Sequence, residues 1–137
     1  MGSRRRAREL ALQLLYQHEL TQSDPEKMQE NFEEWLGASE GVREFADMLL
    51  RGALAHLGEI DAELEHQTAH WRLDRLAAVD RNILRLAMCE LLFFDDTPHA
   101  VVIDEAIEIA KKFGAEESPR FINGVLDGFV KRRASAG

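Results

Sequence analysis

The chain has 137 residues, of which 45% are hydrophobic and 31% are charged, and its formal net charge is −8. This length fits one globular domain with a hydrophobic core of its own. Its single cysteine, Cys89, excludes an intramolecular disulfide, and no apolar segment is long enough to span a membrane. Together these features predict a cytoplasmic protein.

The charge is distributed unevenly along the chain. Four arginines stand among the first eight residues without an acidic neighbour, and Lys131, Arg132 and Arg133 form a second basic group near the end. The long interval between the two groups is strongly acidic. Because an acidic surface repels nucleic acid, any nucleic-acid contact is expected to be local and confined to the basic groups.

The first predicted helix is amphipathic. Apolar residues recur at spacings of three and four from Ala7 to Leu15, which is typical of a helix with one face in a core. The arginines are predicted to project away from that core. Leu12 and Tyr16 are predicted to form an exposed apolar ridge on the same helix.

Helical patterns continue through the rest of the chain. The prolines at positions 25, 98 and 119 each follow a capping residue, which predicts helix starts there. The segment from Val79 to Phe94 is heavily apolar and is expected at the centre of a bundle. The predicted fold is all-α: a compact bundle of about seven helices in one domain over residues 1–137, with sub-bundles of approximately residues 1–70 and 71–137. The predicted helices cover about residues 4–20, 25–36, 42–57, 60–71, 79–94, 98–113 and 119–130.

No catalytic motif is present. The chain has no phosphate-binding glycine loop, no nucleophile elbow and no CxxC pair, so no enzymatic activity is predicted. Glu63, His66 and His70 share a helical face and could supply metal ligands. A solvated acidic face is the favoured interpretation, because a closed metal site needs further ligands in the correct places, so no metal site is predicted.

Two residues are unusual for their positions. Glu90 lies on an apolar helical stripe, where a carboxylate is costly unless it is paired. A salt bridge or a helix-cap bond to a neighbouring element is therefore predicted, in preference to a catalytic role. Gly124 lies inside a predicted helix, where glycine costs about 1 kcal/mol relative to alanine. Another helix or a ligand backbone is therefore expected to approach it closely.

Arginine clusters bind phosphate through planar, permanently charged guanidinium groups, and arginine-rich segments commonly bind RNA. The alternative is a solvated terminus that only promotes solubility. A second candidate phosphate site is the start of the last helix, where Ser118 and Arg120 lie close in sequence to two lysines. Glu116 and Glu117 oppose phosphate binding there.

Four segments in order along the chain resemble the bacterial NusB family. They are RRRARELALQLLY (4–16), VDRNILRLAMCEL (79–91), DEAIEIAKKFG (104–114) and FINGVLD (121–127). The resemblance covers essentially the whole chain and is weakest over residues 22–70.

The resemblance implies an all-helical protein without catalytic activity or cofactor. It implies binding to boxA RNA of ribosomal-RNA leader transcripts together with NusE, a small-subunit ribosomal protein, and nucleation of an antitermination complex on RNA polymerase. The alternative is a helical protein-binding module with no direct RNA contact. The resemblance leaves monomer and homodimer both open.

The resemblance also implies two sets of site residues. The NusE interface is expected at Tyr16 and Asp80, and the Leu12–Tyr16 ridge is interpreted as part of this partner surface. The expected RNA contacts are Arg4, Arg5, Arg6 and Arg8, with Lys112, Phe113, Ser118, Arg120 and Phe121 as weaker candidates.

Overall fold

The structure, a computed structural model, describes residues 2–68 and 72–136, and all regular secondary structure in these ranges is helical. This confirms the predicted all-α class. A 3₁₀ turn at Leu73–Arg75 precedes the second half of the chain. The α-helices are α1 (Gly2–Thr21), α2 (Pro25–Glu30), α3 (Glu33–Leu36), α4 (Glu40–Ala55), α5 (Leu57–Gln67), α6 (Ala78–Phe93), α7 (His99–Phe113) and α8 (Ser118–Ala136).

The described residues form eight α-helices rather than about seven, because the predicted second helix is divided. The side-chain amide of Asn31 donates to the carbonyl of Lys27 at 2.9 Å, and Phe32 is extended with φ −107° and ψ 102°. Local side-chain bonding of this kind competes with helix continuation. The break lets Met28 of α2 and Trp35 of α3 both reach the core.

Two helix ends differ from the predictions for tertiary or capping reasons. The hydroxyl of Ser39 accepts from the amide of Val42 at 3.3 Å, so α4 begins at Glu40 inside a segment predicted as a loop. The last helix is predicted to end near residue 130, but α8 continues to Ala136. Arg132 donates to Glu63 of α5 at 2.8 Å, and this contact holds the last turns against the body.

Helix α6 lies at the centre of the fold, as its apolar sequence predicted. It contacts α1, α4, α5, α7 and α8, and residues 82–84 and 86–91 are buried. Cys89 is fully buried, and this burial raises the pKa of its thiol to about 12. The buried apolar side chains form one cluster with members from both halves of the chain. The division into sub-bundles near residue 70 stays a prediction.

Helix α1 is enclosed on more than one side. It packs mainly on α4 and also contacts α2, α6 and α7. This enclosure limits which side chains of α1 can reach solvent. Within the described ranges, no helix is long and apolar enough to cross a membrane.

Candidate nucleic-acid interface

The first three arginines of α1 lie at the surface, and each is paired with a carboxylate of this chain. Arg4 Nη1 lies 3.4 Å from Asp96 Oδ2, and the Arg4 guanidinium stacks on the Phe45 ring. Arg5 donates two hydrogen bonds to Glu105, at 2.9 and 2.8 Å. The three side chains remain between 39% and 48% exposed. They are therefore solvated cations whose present partners are acidic groups of the same protein.

The Arg5–Glu105 pair shifts both titrations. The hydrogen bond and the charge of Glu105 raise the pKa of the Arg5 guanidinium. The hydrogen bond from Arg5 lowers the pKa of the Glu105 carboxyl, and this outweighs the opposing effect of partial burial. Both groups are charged at neutral pH, so a phosphate that binds Arg5 competes with a carboxylate that is already ionised.

Arg8 does not share this exposure, and its predicted projection away from the core is wrong. Its side chain is 7% exposed and donates to both oxygens of Glu90, at 2.7 and 2.9 Å. The reason is that α1 is covered by α6 and α7 on the side where Arg8 lies, so the guanidinium is inside the bundle. The predicted ion pair of Glu90 is confirmed, and Arg8 is its partner.

Glu9 joins basic residues from distant parts of the chain. Its Oε1 atom accepts from Arg6 Nη1 at 3.2 Å and from Lys112 Nζ at 3.1 Å, although the Glu9 side chain is only 8% exposed. Arg6 and Lys112 thereby meet at one buried carboxylate. The structure thus brings the arginine cluster of α1 together with the weaker candidates at the end of α7.

The candidates between α7 and α8 are not equally accessible. Arg120 is exposed, while Phe113 and Phe121 are half-buried. Ser118 is 1% exposed, and its hydroxyl accepts from the amide of Ala115 at 2.9 Å. Ser118 therefore closes the turn between the helices, and its hydroxyl is not presented at the surface.

This turn also requires glycine at position 114. A Cβ atom on Gly114 would lie 2.7 Å from the side chain of Ser118 and 2.9 Å from the carbonyl oxygen of Ala110. The close approach brings the end of α7 directly onto the start of α8. Lys112 and Arg120 are consequently held on neighbouring turns of one rigid corner.

Leu12 is not part of an exposed ridge. It is 3% exposed, and it contributes to the packing among α1, α6 and α7, which the helical wheel of α1 alone cannot show. Tyr16 is 37% exposed, as predicted. Leu12 forms the floor of a groove of about 350 Å³ in which Tyr16 is a wall. The groove is lined by Leu12, Gln13, Tyr16, Gln17, Phe32, Val79 and Phe113.

Asp80 lies beside this groove, in the first turn of α6, next to Val79. Its Oδ1 atom is buried and accepts no hydrogen bond from any described residue. A buried carboxylate oxygen without a donor is unfavourable. This oxygen has almost no contact with solvent, so only the rest of the half-buried Asp80 side chain is open to a partner.

Sequence patterns did not indicate several residues that build these surfaces. Glu105 is 100 positions from Arg5, and no local pattern connects them. Phe32 and Val79 belong to apolar helical patterns of the sequence, which do not mark them as surface residues, yet both line the groove. A helical wheel shows which face of one helix is apolar, but it does not show where a neighbouring helix ends and leaves that face open.

The histidine alternative finds no support in the described part of the chain. There, no group of three His, Cys, Asp or Glu side chains is placed to hold a metal ion. Glu63 instead accepts from Arg132, and His70 lies outside the described residues.

Comparison with known proteins shows consistent likeness over nearly the whole chain. The sequence model of the NusB family matches residues 5–131. The transcription antitermination protein NusB of Geobacter sulfurreducens is 50% identical over 129 residues, which are 93% of this chain and 93% of that protein.

Solved structures show the same likeness in three dimensions. NusB of T. maritima is 42% identical with a TM-score of 0.83, covering 93% of this chain and 90% of that one. A chain in the crystal structure of antitermination factors NusB and NusE in complex with double-stranded RNA is 33% identical, with a TM-score of 0.85. That match covers 96% of this chain and 98% of the other. From the family match over residues 5–131 and the 50% identity to a NusB protein, we conclude that this chain belongs to the NusB family.

Proposed function

We propose that this chain is a non-enzymatic transcription antitermination factor that binds boxA RNA of ribosomal-RNA leader transcripts together with NusE. In this proposal the pair nucleates an antitermination complex on RNA polymerase. A structural relative that is 33% identical occurs in a complex with NusE and double-stranded RNA, which supports both partners. The proposal assigns two adjacent surfaces of the chain to these two partners.

The observation that carries the RNA assignment is the meeting of Arg6 and Lys112 at Glu9. It makes one basic surface from the start of α1 and the corner between α7 and α8. We assign phosphate contacts on this surface to Arg4, Arg5, Arg6, Lys112 and Arg120, which are all at least partly exposed. Arg8 and Ser118 are left out because their polar groups are buried and already bonded within the chain.

The groove beside Tyr16 and the half-buried Asp80 side chain form the proposed NusE surface. An apolar groove with a carboxylate at its edge is suited to a basic protein that inserts an apolar side chain. Phe113 lines this groove, and its ring centroid lies 5.4 Å from the ammonium of Lys112. The two surfaces thus share a boundary, so NusE seated in the groove would lie beside the bound RNA.

An anisotropy titration with fluorescein-labelled boxA RNA and a scrambled RNA of equal length, each with and without NusE, tests the proposal. Replacing Arg4, Arg5 and Arg6 together with alanine is expected to weaken boxA binding about 30-fold and to reduce its salt dependence, because phosphate contacts release counterions. The control replaces Arg51, Arg72 and Arg75, which removes the same charge from exposed positions outside both basic groups.

Equal losses in the two triple variants would contradict a localised RNA surface. The alternative is a helical protein-binding module without RNA contact. It is a specific possibility because every arginine of the cluster already has a carboxylate partner. In that case the chain would bind NusE while boxA and scrambled RNA bound equally weakly, with or without NusE.

A further inference from the structure

Helix α8 carries a glycine that nothing in the described chain explains. Gly124 lies well inside α8, where glycine is destabilising relative to alanine because it loses more backbone entropy. A close neighbour was expected there, but no atom lies within 4 Å of the position that a Cβ would occupy. Packing of another helix is thereby excluded as the reason for this glycine.

The other glycines inside helices differ from Gly124. A Cβ on Gly52 would lie 3.2 Å from Cys89 Sγ, and one on Gly128 would lie 2.6 Å from Gln67 Nε2. Gly41 and Gly58 also face open space, but each is the second residue of its helix. In the first turn the backbone amides make no hydrogen bond within the helix, so these positions are not helix interiors. Among the glycines inside described helices, Gly124 is therefore the one that destabilises a helix interior while no neighbouring atom requires a glycine there.

The face around Gly124 presents polar groups without partners. Arg120, one turn earlier, is exposed and has no carboxylate within 4 Å among the described residues. Asn123 is exposed, and its side-chain amide makes no hydrogen bond within the described chain. One turn later, Asp127 is neutralised by Lys131 at 2.9 Å. The face thus offers a free cation and a free amide beside a position with no side chain.

We propose that the ribose–phosphate backbone of the RNA crosses α8 at Gly124, with Arg120 binding a phosphate and Asn123 bonding to a phosphate or ribose oxygen. This rests on the proposed function and extends its RNA surface beyond the α7–α8 corner. The missing side chain lets the RNA backbone approach the helix closely, as glycines do where phosphate backbones approach protein.

The composition of the face favours RNA over a protein at this position. Protein interfaces have apolar or aromatic residues at their centre. The exposed positions 120, 123, 124 and 131 of α8 carry Arg, Asn, Gly and Lys, and the half-buried position 127 carries Asp. None of them has a large apolar side chain. Arg120 lies in the first turn of α8 and Lys112 in the last turn of α7, so only the turn between these helices separates this face from Lys112 along the chain.

Substitution of Gly124 gives effects of opposite sign on stability and binding. Gly124→Ala is expected to raise the Tm by about 3 °C, because alanine is the better helix former and meets no neighbour. The same change is expected to weaken boxA RNA binding about threefold, and Gly124→Leu about tenfold, because the side chain separates polar partners. Gly58→Ala and Gly58→Leu are the matched controls, since they also add a side chain in open space.

The proposal is overturned if Gly124→Leu binds boxA RNA like the wild type, or if Gly58→Leu loses as much affinity. It is also overturned if Gly124→Leu loses NusE binding while RNA binding is intact, because the occupant is then a protein. If Gly124→Leu weakens boxA RNA binding while the triple Arg4/Arg5/Arg6 variant binds like the wild type, the result supports the site at Gly124 and contradicts the assignment of phosphate contacts to the three arginines. Absence of RNA binding by the wild-type protein, with and without NusE, contradicts both.

Discussion

Arginine–carboxylate ion pairs lie at both ends of α1, but the arginines differ in solvent exposure. At the beginning, the side chains of Arg4, Arg5 and Arg6 are 39% to 48% exposed. At the other end, Glu19 holds Arg81 and Arg85, whose side chains are 12% and 11% exposed. An exposed guanidinium can exchange a carboxylate for a phosphate because water screens both states. A buried guanidinium cannot, since a phosphate would have to leave water and enter the bundle to reach it.

Arg8 shows that position in the sequence does not decide whether an arginine is exposed or buried. It stands within the basic cluster, yet its pairing with Glu90 resembles the buried network at the far end more than the neighbouring surface pairs. The cluster therefore divides into three arginines suited to binding and one that stabilises the fold. Burial, rather than charge density, separates these two roles.

The largest expected effect comes from breaking the buried pair. Glu90→Ala removes both hydrogen bonds of the buried Arg8 guanidinium and leaves it only the more distant carboxylate of Glu105, at 3.9 Å. This change is expected to lower the free energy of unfolding by about 3 kcal/mol. Urea denaturation followed by circular dichroism measures this change. Asp96→Ala, which removes the exposed partner of Arg4, is expected to cost less than about 0.5 kcal/mol. Similar costs for the two variants would erase the distinction between buried and exposed arginine pairs.

The buried network at the end of α1 should be visible in the acid dependence of stability. Partial burial would raise the pKa of Glu19, but hydrogen bonds from Arg81 and Asn82, with the charges of Arg81 and Arg85, outweigh it and lower the pKa. A carboxyl whose folded pKa is depressed stabilises the protein above its unfolded pKa, near 4.5, and this contribution is lost as the pH falls through the folded value.

Glu19→Gln is therefore expected to be less stable than the wild type at pH 7, with the difference shrinking as the pH falls below about 4.5. Denaturation midpoints from pH 7 to pH 2.5 measure the difference directly. Glu30→Gln provides the control, because Glu30 is exposed and has no ion-pair partner among the described residues. A difference that stays constant across this range would contradict the ion-pair network as the source of the stability.

The smallest expected effect concerns Arg5 at the beginning of α1, and it is a gain of RNA affinity rather than a loss of stability. Glu105→Gln removes the charge that competes with phosphate for Arg5, so boxA RNA affinity is expected to rise about threefold, as expected for one screened surface charge. Glu108→Gln is the matched control on the same helix, since Glu108 pairs with Lys111 at 2.9 Å instead. A fall in affinity for Glu105→Gln would show that Glu105 orients Arg5 for RNA rather than competing for it.

Local sequence determined the helical elements well wherever capping residues and periodicity acted alone. Pro25 begins α2 as predicted, and the apolar run around Ile83 forms the central helix. The paired state of Glu90 also followed from its place on an apolar stripe, because an unpaired charge there would be too costly. These features depend on residues within a few turns of each other, so the sequence contains them directly.

The assignment of surfaces depended on tertiary structure. The pattern of α1 could not show that α6 and α7 cover Leu12 and Arg8, because solvent exposure of a helix face is decided by its neighbours. Glu9 lies beside Arg6 in sequence, but only the packing of α7 on α1 brings Lys112 to the same carboxylate. Similarly, the sequence showed that Gly124 needs a reason, and only the folded chain showed that this reason must come from outside it. Local interactions decide whether a segment is helical, whereas contacts between distant segments decide which of its charges remain available to a ligand.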